Sequence, residues 1–281
     1  DWTLLPAWLE AGVNNWSQLS AQVLQRSSAL LLERGRLMGL AVATPNEAMA
    51  SDAVDALSDL NARSLSSSLV VDMSALWAGP LCSHLLQCCG FQVIKVESVQ
   101  RPDGAREGSP KHFHALHEGK ECQRFDFRDP TDLRRLRMLL ASADVVIEGS
   151  RPRALRALAL DRESIMTAAG SVAAASHLWL SLTAYGRASP FGDWVGFGDD
   201  VAIAAGAFDA TQANAPAFIA DAIADPLTGL VAAWLILELR RRGMSGLIDF
   251  SLFRAANFCV NWVQDSGGAL ASPTREPTLR C

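Results

Sequence analysis

The sequence predicts an α/β fold: a Rossmann-like parallel sheet followed by helical segments. Three observations predict it. Leu69–Met73, Gln92–Glu97 and Asp144–Glu148 are short runs rich in Val, Ile and Leu. They are too apolar for strands with one wet face, so helices are expected over both faces of the sheet. Helix-length segments alternate with these runs, the pattern that builds a parallel sheet. The first run opens into Ala78-Gly79-Pro80. Ala78 and Gly79 carry almost no side chain, so a large ligand can approach the backbone at the carboxyl end of a strand, where such sheets bind.

Taken in order, residues 1–64 read as a helical N-terminal extension and linker. Gln18–Leu40 places Leu19, Val23, Leu24, Leu30, Leu31 and Leu32 on one side of a single amphipathic helix. Asn46 caps a short second helix, and 51–68, rich in Ala, Ser and Asp, reads as the linker. Residues 65–205 form the Rossmann-like domain. It runs through strand Leu69–Met73, the Ala78-Gly79-Pro80 loop, helix Leu81–Cys89 and strand Gln92–Glu97. Strand Arg124–Phe127, helix Pro130–Ser142 and strand Asp144–Glu148 follow. Pro152 opens a helix, where its missing N–H costs nothing, and Val172–Thr183 holds another strand. The Gly-rich stretch 185–200 suits a loop that adapts around a ligand. Asp200–Phe208 reads as a helix across the boundary. Residues 206–281 supply a helical segment, Pro226–Arg242, one further strand, Leu247–Ser251, and the helix Leu252–Val263.

Composition excludes some classes. The net charge of −5 argues against nucleic acid as a partner, because phosphate binding needs a basic surface. The positive charges are nearly all arginine, which suits local phosphate recognition or an ordinary surface. Six cysteines form no CxxC pair, so a reduced, cytoplasmic setting is expected, with Cys82, Cys88 and Cys89 inside a core helix. No signal peptide and no membrane span are expected, since Gly229–Leu237 is too short to cross a bilayer. The first residue is not Met, which fits processing or part of a longer polypeptide.

Several ordered motifs carry a resemblance. DMSALWAGP, GFQVIKVE, RPDGAR, ADVVIEGSRP, LALD, TAYGRASP, IADPLTGLVAA and GLIDFSLF occur in that order from Leu69 to Phe258. Together they resemble the class III CoA-transferase (CaiB/BaiF) family. The resemblance implies that family's α/β fold, with the small domain largely missing from this chain. It implies acyl-CoA and a carboxylic acid as substrates, CoA transfer through an aspartyl-CoA thioester, no metal, and a homodimer whose chains thread through one another. Two other readings stand beside it: a non-catalytic CoA-binding or structural subunit that needs a full-length partner, and an acyl-CoA racemase or isomerase.

The resemblance also names residues. Asp225, in IADPLTG, stands where family members carry the nucleophilic aspartate. From the residues alone it reads as the N-cap of a long helix, and Asp221 lies one turn away as a competitor. Family racemases carry a histidine where Phe197 stands, and phenylalanine cannot exchange a proton. Ala75, Leu76, Trp77 and Ala78 align with the segment that holds the adenine end of CoA. Trp77 either stacks on the base or packs internally. Arg101 and Arg106, in RPDGAR, suit CoA phosphates or a solvated surface. Gly149 and Ser150 replace an Asn-Phe pair that touches CoA. Glu97 stands where dinucleotide folds read a ribose, or pairs with a nearby cation. His112, His114 and His117 do not share one helical face, so no metal site is expected.

Overall fold

The computed structural model describes residues 2–47, 57–58, 68–169, 177–209 and 217–265. Among them, seven strands share one sheet: β1 (Leu57–Ser58), β2 (Leu69–Asp72), β3 (Gln92–Ser98), β4 (Glu121–Phe125), β5 (Val145–Glu148), β6 (Leu178–Thr183) and β7 (Ser245–Ser251). Their order across the sheet is β1-β7-β6-β5-β2-β3-β4. β2 to β7 are parallel, and the short β1 pairs antiparallel with β7 at the edge. After β2 the chain adds β3 and β4 on one side, then returns to lay β5 on the other. The reversal lies between β2 and β5, and ligands bind such sheets in the crevice outside the carboxyl ends of those strands.

Period-two alternation explains why the strands read as unbroken apolar runs. Val70, Val145, Ile147, Leu178 and Leu180 point to one face, where the helices Ala78–Cys88 and Ala224–Arg241 cover them with Cys82, Leu86, Ala232 and Ile236. Val71, Val146 and Trp179 point to the other, under Leu136 and Leu140 of the helix Pro130–Ser142 and Ile165 of Arg162–Ala169. Successive side chains leave opposite faces of a strand, so a sheet buried on both sides needs apolar residues at every position.

Several expected elements differ. The single helix over Gln18–Leu40 is two helices, Trp16–Leu24 and Ser28–Leu37. The bend brings Leu19, Val23 and Leu31 to one small cluster with Trp8 and Leu9, and leaves Leu24 and Leu30 exposed. Within the expected linker, Leu57–Ser58 is a strand. Asn46 has φ 54°, and the residues that would follow it in a helix, 48–50, lie outside the described residues. So does the first half of the expected strand Val172–Thr183, up to residue 176. Ala78-Gly79-Pro80 is not loop but the first helical turn, where proline removes an N–H that has no partner anyway. β4 begins at Glu121, in register with Ile94 of β3, so it precedes the expected Arg124 start. Cys82 is buried, but Cys88 and Cys89 are exposed. Among the described residues no helix is long and apolar enough to cross a membrane.

Candidate active site

The carboxyl ends of β2, β5 and β6 open into one cavity of about 800 Å³. Charged residues buried beneath it hold the loop after β2. Asp72 accepts from the Ser74 N–H at 2.9 Å and from the hydroxyls of Ser74 and Ser83. Lys120 donates to Ser83 at 2.7 Å and to the Pro80 carbonyl at 3.0 Å, and lies 3.6 Å from Asp72. Lys95 donates to the Ser74 carbonyl and pairs with Asp103 at 3.3 Å. Burial pushes the Asp72 carboxyl up, but Lys95, Lys120 and the two serine hydrogen bonds outweigh it and hold it below the usual range. Burial, with Lys120 and Lys95 nearby, pushes His117 down to about 4, so it is neutral near pH 7.

Of the residues expected to meet CoA, Ala75, Ala78, Arg101, Gly149 and Ser150 line this cavity, together with Leu76. Trp77 and Arg106 do not. Leu76 adopts φ 69°, and its N–H donates to Asp103 at 3.1 Å. The next ring, Trp77, packs edge-on against His112 with centroids 4.9 Å apart. Arg106 pairs with Glu97 and lies 4.2 Å over the Phe113 ring. Glu97 therefore has the basic partner that one reading gave it. His114 is exposed beside Glu118, while His117 is buried. Among the described residues, no three His, Cys, Asp or Glu side chains gather as a metal ion would need.

Asp225 lies in the wall of the same cavity. It is not the cap of its helix: Ile223 is the N-cap residue, and Asp225 falls in the first turn. The backbone N–H groups of Ala78 and Gly198, which belong to two other helices, lie near its carboxylate instead. Burial pushes its carboxyl up to about 6, with Asp199 and Asp200 adding to the rise and the two nearby N–H groups opposing it. Both donors depend on small residues. A β-carbon on Gly229 would stand 2.6 Å from the Ala78 carbonyl oxygen, so only glycine lets the two helices meet one turn beyond Asp225. Asp221 is exposed. Phe197 lines the cavity beside Gly198, and its N–H donates to Asp200 at 2.8 Å.

The motif reading missed other groups. Glu148 is buried at the end of β5, bonded to Ser181 and to the Ser150 N–H at 2.8 Å, and burial pushes it up to about 7. Trp194 lines the cavity. Asp72, Lys95 and Glu148 did leave a signal: each is a charge inside an apolar strand, and such charges are buried only with partners.

A model of CoA-transferase family III matches residues 65–277. The chain belongs to that family. It is 28% identical over 207 residues to the succinate–glutarate CoA-transferase of Agrobacterium fabrum, covering 67% of this chain and 50% of the relative. With the human succinyl-CoA:glutarate CoA-transferase it shares 24% identity over 216 residues, 72% of this chain and 48% of the relative. A CaiB/BaiF family protein from Brucella suis superimposes with a TM-score of 0.62 at 29% identity, over 74% of this chain and 58% of that one. A hypothetical protein from Mycobacterium tuberculosis gives 0.63 at 26% identity, over 76% and 61%. This family III chain therefore spans about half the length of the curated relatives it matches.

Proposed function

We propose that this chain transfers CoA between an acyl-CoA thioester and a carboxylic acid, with Asp225 as the nucleophile. One observation carries the reading: Asp225 lines the cavity at the carboxyl ends of the strands, with the N–H groups of Ala78 and Gly198 near its carboxylate. A carboxylate nucleophile divides one difficult exchange into easier steps. An Asp225 oxygen attacks the thioester carbonyl carbon, the C–S bond breaks, and CoA leaves as thiolate, which gives a mixed anhydride. The thiolate attacks the Asp225 carbonyl carbon, the donor acid leaves as carboxylate, and an aspartyl-CoA thioester remains. The acceptor carboxylate then repeats both steps in reverse, so no net proton is consumed. The Ala78 and Gly198 N–H groups orient the carboxylate at first. They then stabilise the negative oxygen when the aspartyl carbonyl is itself attacked.

On this reading the backbone at Ala75, Ala78, Gly149 and Ser150 forms the CoA wall, and Arg101 meets a phosphate. Trp77 and Arg106 support the loop rather than touching CoA. The chain works as a homodimer, in keeping with the exposed Leu230, Trp234, Phe258 and Trp262 on neighbouring helices.

The test is to incubate the protein with an acyl-CoA, trap with hydroxylamine or borohydride, and map the adduct. An adduct on Asp225 supports the reading. Transfer without any modified carboxylate rejects it.

A further inference from the structure

The segment 36–47 lies before the residues that match the family, yet it grips both ends of the stretch that presents Gly198 to Asp225. At one end the Arg36 guanidinium lies 3.7 Å over the Trp194 ring, a cavity-lining residue, and 5.7 Å from the Tyr185 ring. Tyr185 and Phe191 meet Trp194 edge-on, at 5.5 and 4.9 Å between centroids. Glu47 pairs with Arg36 at 2.5 Å, and both side chains are largely buried. The other Glu47 carboxylate oxygen accepts from the Thr44 N–H at 2.8 Å.

At the far end, the N–H groups of Asn46 and Glu47 donate to the carbonyls of Ile203 and Ala204, at 3.3 and 2.8 Å. Those carbonyls close the helix Gly198–Ala204, and the last carbonyls of a helix have no partner within it. Ala43 also packs into the apolar cluster that holds Tyr185, Trp194 and Val201. The stretch from Trp194 to Ala204 is thus fixed at its start by a stacked guanidinium and at its end by two backbone bonds. Gly198 lies between them.

We infer that Arg36, held by Glu47, is a positioning residue that fixes Trp194 in the wall of the cavity that Asp225 also lines, and shapes the site for its acyl-CoA. The inference rests on the transfer reading for the identity of the ligand. Arginine suits the task because its planar guanidinium both stacks on an indole and pairs with a carboxylate, whereas lysine supplies only the charge.

The test measures butyryl-CoA binding by calorimetry and the melting temperature in parallel, using the full chain. Arg36→Ala and Trp194→Ala should each weaken binding about fivefold, the scale of one partly buried cation–π contact. The double variant should be no weaker than Trp194→Ala alone, because the two residues act as a unit. Arg36→Lys should keep the melting temperature through its pair with Glu47 and still bind like Arg36→Ala, an outcome a purely structural ion pair does not give. Unchanged binding in Arg36→Ala, or fully additive losses in the double variant, overturns the inference. Binding that responds as expected while no Asp225 adduct forms rejects the transfer reading and leaves the positioning role standing. A native chain that binds no acyl-CoA overturns both.

Discussion

Gly198 and Asp225 are in such close contact that a β-carbon on the glycine would stand 2.2 Å from Asp225 Oδ2. The same atom would meet the Ala222 carbonyl oxygen at 2.4 Å. No side chain fits between this backbone and the carboxylate it holds. Gly198→Ala should therefore push the carboxylate away from both N–H donors. Adduct formation should fall about a hundredfold or more, the scale of losing one well-placed donor. Single-turnover labelling with acyl-CoA measures it, and labelling at the native rate would show that the contact is not needed.

Asp225→Asn should abolish adduct formation with little loss of fold, because the amide matches the carboxylate in size and its oxygen can still accept from the Ala78 or Gly198 N–H nearby. Asp225→Glu should also fail or be severely slowed, since the extra methylene moves the attacking oxygen by about an ångström in a geometry that tolerates little displacement. Asp221→Asn, on the exposed side, should be nearly silent. Activity and melting temperature for the three variants check this, with mass spectrometry to exclude hydrolysis of the amide back to acid.

The pH dependence has a definite sign. The Asp225 carboxyl is pushed up to about 6 from its ordinary 3.8. Between those values the folded chain holds the proton and the unfolded chain does not. Stability drawn from this group is present below that window, declines as pH rises through it, and is level above about 6. Attack needs the ionised carboxylate, so labelling should rise with pH through about 6. Asp200, pushed by burial up to about 6, and Glu148, up to about 7, titrate nearby. Asp200→Asn is the control for labelling, and Asp225→Asn should remove its share of the stability slope. A labelling profile flat from pH 5 to 8 would rule out Asp225 as the titrating group.

Gly229→Ala should destabilise the chain despite alanine's better helix propensity. The propensity gain is about 1 kcal/mol. The new methyl would press on the Ala78 carbonyl oxygen at 2.6 Å and on Leu81 Cβ at 2.9 Å, and overpacking of this kind costs about 1–3 kcal/mol. Because the helix carries Asp225 one turn earlier, labelling should fall with stability. Urea denaturation gives the first effect and trapping the second.

The sequence by itself determined the parallel sheet, because strands covered on both faces must be apolar at every position, and β2, β3 and β5 announce that requirement locally. It also offered Asp225 as a candidate, through the resemblance of IADPLTG to the family's motif. Only the tertiary structure decided what surrounds that aspartate. The residues alone left Asp225 as a candidate helix cap, yet Ile223 is the cap and the groups near the Asp225 carboxylate are the Ala78 and Gly198 N–H, backbone groups from distant segments whose identity no side-chain pattern records. Trp77 and Trp194 are alike as residues, but one packs on His112 and the other lines the cavity against Arg36. Local pattern follows the period of one element, whereas a binding wall is set by contacts among elements far apart in the chain. Those contacts depend on close approaches, such as Gly229 to Ala78, that appear only once the helices have packed.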